Sequence, residues 1–285
     1  MVNFWLNATD INFWRRLFQK WFLFIVLFGL YVPLICFIFL SFNEKSTKGT
    51  VPTVLGSFNG IQNYVEFFTT SLDSTNVGPS LVNSLIIAFI SIPISLFIGL
   101  LTTVSIWKNY GKGQKYTFLF CNITISCPDI VQAIAFSFLF ATLIVPLGIN
   151  LGFFTVILTH IALQIPYVVI FLYPKLSKLN INLLRASYDL NFHFFESIIY
   201  VILPSLVSNI LGAALLAFTI SFDDYIITNL VRGGVNTIST ELYSMKTGIK
   251  IWASVFGSLV IVGVTTIVLG FNCYQMFRNK NKENA

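Results

Sequence analysis

The sequence predicts an all-α, polytopic membrane protein with six transmembrane helices, on three observations. Of its 285 residues, 56% are hydrophobic and only 10% are charged, whereas a soluble domain is typically about 25% charged. Apolar runs of roughly 20 residues or more, the length a spanning helix needs, recur along the chain. Lys and Arg are spread unevenly between the segments that join those runs.

In order, residues 1–20 contain INFWRRLFQKW, aromatic and basic residues that suit a helix at the membrane surface. The spans are expected at 21–42, 81–107, 116–145, 151–173, 204–231 and 251–277, together forming a domain over 21–277, with a tail at 278–285. The first is too long for a cleavable signal peptide and no small-residue cleavage site follows it, so it is read as an anchor. The long segment before the second span reads as loop, with IQNYVEFFTTSL a short helix. Pro33, Pro93, Pro128 and Pro166 lie inside spans, where neighbouring helices can satisfy the freed backbone groups. Cys36, Cys121, Cys127 and Cys273 show no metal or disulfide spacing and read as small apolar residues.

With the N-terminus inside, the inner segments hold twelve of the seventeen Lys and Arg: Arg15, Arg16, Lys20, Lys108, Lys112, Lys115, Lys175, Lys178, Arg185, Arg278, Lys280 and Lys282. The outer ones hold Lys45, Lys48, Arg232, Lys246 and Lys250. Both termini are therefore expected in the cytoplasm of a cell-membrane protein. The net charge of +6 is accounted for by that asymmetry and asks for no nucleic acid.

The inner segment at 174–203 is too polar to span and too patterned to be slack. Ile181, Leu184, Ala186 and Leu190 mark one short amphipathic helix. Phe194, Phe195, Ile198, Ile199 and Ile202 mark a second, ending at Pro204. Asn191 between them is a left-handed bend, since Asn follows Gly in tolerating that conformation.

Here the chain resembles permease subunits of ABC importers, whose cytoplasmic loop reads E-A-A-x-x-L-G with a Leu-Pro some dozen residues later. RASYDLN at 185–191, then Leu203 and Pro204, occupy that place. Ala186, Asp189 and Leu190 fit; Arg185 stands for the Glu and Asn191 for the Gly. LLAFTISFDDYIITNLVRG, ELYSMKTGI and CPDIVQAIAFSFLF look like the polyamine branch, the permeases of spermidine/putrescine importers. The resemblance covers about 116–277. It implies a type I importer permease fold and transport of polyamines by alternating access. It also implies Arg185, Ala186, Ser187, Asp189, Leu190 and Asn191 as the ATPase contact.

Asp223 and Asp224 stand within an apolar run, where a carboxylate costs about 2.5–3.5 kcal/mol unless paired or wet. On a regular helix Ser221, Asp224, Tyr225, Thr228 and Arg232 share one face, and Asp223 points nearly opposite, beside Thr219. Asp224 and Tyr225 are expected to line a cation route, since a carboxylate attracts an ammonium group and an aromatic ring can receive one face-on. Asp223 is a weaker candidate. Asp129, after Pro128, is either a second cation contact or, the favoured reading, an N-cap for the helix restarting there. Tyr243 with Glu241 is a candidate at the route mouth. His160 and His193 lack metal spacing and read as ordinary.

No G-x-x-x-x-G-K-[ST] occurs, so ATP hydrolysis falls to other polypeptides and the chain is expected to need no cofactor or metal. The resemblance implies a second homologous permease subunit, two ATPase subunits and an extracytoplasmic polyamine-binding protein as partners, besides the lipid bilayer. The alternative substrate is another small organic cation or anion. A membrane enzyme is disfavoured: prenyl transfer on D-D-x-x-D would need an acid where Ile227 stands, and the Gly-x-Gly-Asp of an intramembrane aspartyl protease is absent.

Overall fold

The computed structural model describes residues 11–46, 49–51, 58–71, 77–108, 111–245 and 248–283. Residues 1–10 of the N-terminal segment, Lys48, Lys246 and the end of the tail lie outside the described residues. So do the side chains of Arg15, Arg16, Lys112, Cys273, Arg278, Lys280 and Lys282. In chain order the helices are α1 (Ile11–Leu40), α2 (Gln62–Glu66), α3 (Val77–Lys108), α4 (Lys112–Ser126), α5 (Asp129–Leu139) and α6 (Phe153–Leu176). They continue as α7 (Asn182–Asp189), α8 (Phe194–Ser197), α9 (Leu203–Asp223), α10 (Ile226–Val231), α11 (Ile238–Tyr243) and α12 (Ile251–Glu283). Among the described residues five helices are long and apolar enough to cross a membrane, and Ile251–Thr266 is a shorter apolar stretch of α12. The chain is a multi-pass, all-α membrane protein.

It divides into two compact units, Met1–Ser74 with Met245–Ala285, and Thr75–Ser244. In the first, no residue of the apolar stretch Lys20–Leu40 of α1 is fully buried, as befits a helix solvated largely by lipid. Its end is tied to α2. Asn63 Nδ2 donates to the carbonyls of Ser41 at 2.9 Å and Asn43 at 2.8 Å. The Tyr64 hydroxyl bonds Ser41 Oγ at 2.6 Å and Ser258 Oγ of α12 at 2.8 Å. These bonds give the buried Ser41, Asn63 and Ser258 side chains their partners, as an apolar solvent demands.

In the second unit α3 and α6 approach closely. A Cβ on Gly99 would stand 2.5 Å from Val168 Cγ1, so only glycine fits. Polar side chains then join three helices. Ser95 Oγ donates to Gln164 Oε1 at 2.6 Å, and Gln164 Nε2 donates to Ser91 Oγ at 3.1 Å and to the Ala217 carbonyl at 3.5 Å. Inter-helix bonds of this kind contribute about 0.6 kcal/mol each in membranes. Leu100, Val104, Trp107, Leu172, Leu184 and Ile202 lie in one core, which joins α3 and α6 to α7 and the segment after it.

Proline acts differently in two spans. The third, expected over 116–145 with an interruption at Pro128, is two helices. Cys127 is extended (ψ 131°) and Pro128 precedes α5, because a proline ring excludes the helical conformation from the residue before it. Gln132 Nε2 bridges the break, donating to the carbonyls of Thr124 at 2.9 Å and Cys127 at 2.8 Å. Conversely, the helix starting at Phe194 does not stop at Pro204. A π-helical turn, Ile198–Ile202, carries it into α9. The wider turn accommodates the ring and the missing N–H, giving one apolar helix over Phe194–Asp223.

Candidate functional site

The fifth span, expected as a regular helix over 204–231, is interrupted at its acids. Asp224 is extended (φ −66°, ψ 113°), after α9 and before α10. Neither Gly nor Pro lies here; the Asp224 side chain itself competes for the backbone. Its Oδ1 accepts from Ile227 N at 3.2 Å, and its Oδ2 from Thr228 N at 2.9 Å and Thr228 Oγ1 at 2.6 Å. Those are N–H groups that open α10 and would otherwise be orphaned. From α11, Ser239 Oγ donates to the Asp224 carbonyl at 2.7 Å.

This break corrects the single polar face expected of Ser221, Asp224, Tyr225, Thr228 and Arg232. Ser221 and Thr228 are buried behind the acid, and Arg232 is bonded to Asn236. Asp223, expected to point away, joins Asp224 in lining one cleft of about 310 Å3. Asp129 lines the same cleft. Its expected N-cap role is not what the structure has: Pro128 holds the cap position, α5 has no side-chain cap bond, and Asp129 lies in the first turn, where the helix dipole favours an anion. Tyr225 and Tyr243 stack with centroids 4.3 Å apart and planes 8° apart, and both border the cleft. No Lys, Arg or His is among the described residues lining it. The cleft therefore pairs three carboxyl groups with aromatic faces.

Behind the wall lies His160, read from sequence as ordinary. It is 3% exposed, bonded to Ser221 Oγ at 2.8 Å and Thr228 Oγ1 at 3.0 Å, and 3.6 Å from Asp224 Oδ2. A signal was present: His160, Gln164 and Tyr167 recur at i, i+4 and i+7, a polar face along an otherwise apolar span. Gln132 was also missed; its task exists only because α4 and α5 meet at an angle.

In the inner segment, α7 ends in a Schellman motif. Phe192 N donates to the Ser187 carbonyl at 3.0 Å and Asn191 N to that of Tyr188 at 2.9 Å. Asn191 has φ +62°, alone among described non-glycine residues in being positive, so the bend expected there is present. Arg185, Ala186, Asp189, Leu190 and Asn191 are exposed. Ser187 is not: it is 2% exposed, and its Oγ bonds Ser197 Oγ at 2.8 Å, joining the two short helices from within. Lys108, at the end of α3, lies 5.2 Å from the ring centroids of both Tyr188 and Phe194. A cation over two aromatic faces fastens the segment to that span.

Comparison with known proteins places this architecture. No protein-family model matches the sequence. The chain is 36% identical over 259 residues, 91% of each sequence, to the spermidine/putrescine transport system permease protein PotC homolog of Mycoplasma pneumoniae. It is 35% identical over 269 residues to the homolog from Mycoplasma genitalium, covering 94% of this chain and 95% of that one. It is 26% identical to PotC of Escherichia coli K12, over 95% and 97% of the two chains. A chain of a bacterial ABC transporter involved in the import of the acidic polysaccharide alginate has the same fold, with a TM-score of 0.64 at 12% identity, covering 92% of this chain and 95% of that chain. Both the sequence relationship and the fold run nearly end to end, and the chain belongs to the PotC family of ABC-importer permeases.

Proposed function

We propose that this chain is the permease subunit of an ATP-driven importer that carries spermidine or putrescine into the cytoplasm, and that Asp224, Asp223 and Asp129 with Tyr225 hold its ammonium groups in transit. The single observation that supports this most is the composition of the cleft: three acids and a stacked tyrosine pair, with no basic side chain among the described lining residues. An organic anion, the other substrate class, would meet like charge there. Ser221 and Thr228 act from behind, by holding the wall.

The same reading assigns the moving parts. Both termini face the cytoplasm, which puts the 174–203 segment on that side. There the exposed side chains of Arg185, Ala186, Asp189, Leu190 and Asn191 meet an ATPase subunit, while buried Ser187 keeps α7 and α8 moving as one piece. Rigid coupling to α6 and α9 through the shared core turns ATPase closure into alternating access of the cleft. A second homologous permease completes the path, two ATPase subunits drive it, and an extracytoplasmic binding protein delivers the substrate.

The test is uptake of labelled spermidine and putrescine by the reconstituted complex, wild type against Asp224→Asn. The variant keeps size and loses charge, and we expect assembly to be retained and KM to rise by about tenfold or more, equivalent to about 1.4 kcal/mol. Unchanged uptake by the variant overturns the role of Asp224. A wild-type complex that takes up neither polyamine overturns the substrate.

A further inference from the structure

The ring of His160 touches the acid site without reaching the cleft, and its hydrogen bonds sort themselves. Thr228 Oγ1 donates its single hydrogen to Asp224 Oδ2 at 2.6 Å. Toward His160 Nε2, 3.0 Å away, that oxygen is therefore an acceptor, and Nε2 must carry a hydrogen. In the neutral ring Nδ1 is then bare, and Ser221 Oγ, 2.8 Å away, donates to it. One directed chain runs from Ser221 on α9, through His160 on α6 and Thr228 on α10, to the Asp224 carboxylate. It spans the interruption between the two halves of the fifth span.

We infer that neutral His160, in its Nε2–H tautomer, is a positioning residue: it fixes the Thr228 hydroxyl, which fixes the Asp224 carboxylate in the cleft wall and so sets the affinity of the cation site. The kinetic part of this claim rests on the transport reading above. Charge explains why the neutral ring suits the task. Asp224 is the charged side chain facing the ring, 3.6 Å away. From α6 itself the next polar group along that face is Gln164, engaged with Ser95 and Ser91. Asp223 and Asp129 belong to the cleft on the other side of the wall. A cationic ring would occupy Asp224 as a fixed counter-ion and compete with the substrate ammonium. A neutral donor–acceptor ring orients the carboxylate and leaves its charge for the solute. Without the ring, Ser221 and Thr228, both buried, lose the partner that joins them.

Three variants in the reconstituted complex separate this from a merely structural role. His160→Gln keeps one N–H donor and one acceptor at neutral charge, and should stay within about twofold of wild type in KM and maximal rate. His160→Leu keeps apolar volume and loses both bonds, and should raise the KM for spermidine about fivefold with little change in maximal rate. His160→Lys should abolish saturable uptake. Added to Asp224→Asn, His160→Leu should cost nothing further, because both act through one carboxylate. A wild-type KM in His160→Leu, where Asp224→Asn is impaired, overturns the inference and leaves the transport reading standing. A second measurement needs no substrate. The chain has two histidines, so 15N-histidine labelling of the complex, with His193→Gln for assignment, reports the His160 ring. At neutral pH we expect a protonated Nε2, a bare Nδ1, and shifts that move in Asp224→Asn. The opposite tautomer, a doubly protonated ring, or shifts indifferent to Asp224→Asn would overturn it.

Discussion

Gly233→Ala tests whether the end of α10 is held closely against the start of α6. Gly233 follows α10 with φ +57°, a conformation that costs a residue with a Cβ about 1–2 kcal/mol. Its Cβ would also overlap the Leu151 carbonyl oxygen and stand 2.7 Å from the carbonyl carbon. Neither neighbour is a flexible side chain that can swing away. The Leu151 peptide leads into α6, where Gly152 N donates to Thr155 Oγ1 at 2.9 Å and Thr155 Oγ1 donates to the Val231 carbonyl at 2.7 Å. Relief of the clash therefore breaks a buried bond or shifts α10, which adds an overpacking cost. Together these give roughly 3–5 kcal/mol, or a melting temperature lower by on the order of 10 °C. The assay is thermal unfolding of the purified complex in lipid nanodiscs, with uptake measured alongside. Gly234→Ala is the control: nothing lies within 4 Å of a Cβ added there, and it should melt like wild type. Equal melting of the two variants would refute the reasoning.

Asn191→Ala should lower the melting temperature by about 2–4 °C, from a left-handed penalty of about 1 kcal/mol, and weaken ATPase association measured by co-purification. Asn191→Gly should do neither; equal behaviour of the two would show that the backbone at 191 is unimportant. Tyr243→Ala removes a ring stacked on Tyr225, an interaction contributing about 0.5–1.5 kcal/mol beyond burial. It should raise the KM for polyamine uptake about fivefold, while Tyr243→Phe stays near wild type in the same titration.

The apolar runs were legible because hydrocarbon imposes one requirement on every residue of a span, and Asn191 because few residue types accept a positive φ. Proline was a partial guide. At Pro128 it marked a true interruption; at Pro204 a π turn absorbed it, and a one-dimensional pattern does not distinguish the two. The break at Asp224 was not legible. Residues 217–232 read as helix by every local signal, and what ends α9 is an acid capping the next turn, supported by Ser239 and by His160, 64 positions upstream. Asp223 was misplaced for the same reason: its direction follows from the break. Ser187 looked like its exposed neighbours in the loop motif, yet its partner Ser197 belongs to the other short helix, and only their packing turns it inward.

The second unit carries two interruptions, Cys127–Pro128 and Asp224–Tyr225, and the helix openings beyond them, Asp129 and Ile226, border the same cleft. A continuous rod tilts only by straining or surrendering its ladder of backbone bonds. A rod already jointed turns at the joint and leaves both ladders whole. The pieces beyond the joints, α5 and α10, pack on one another through Ala133 and Ile227, so they can pivot together like a hinged shutter. The latches of that shutter are the two side chains that straddle the joints, Gln132 and Asp224, and one of them, Asp224, is the group we propose to hold the solute.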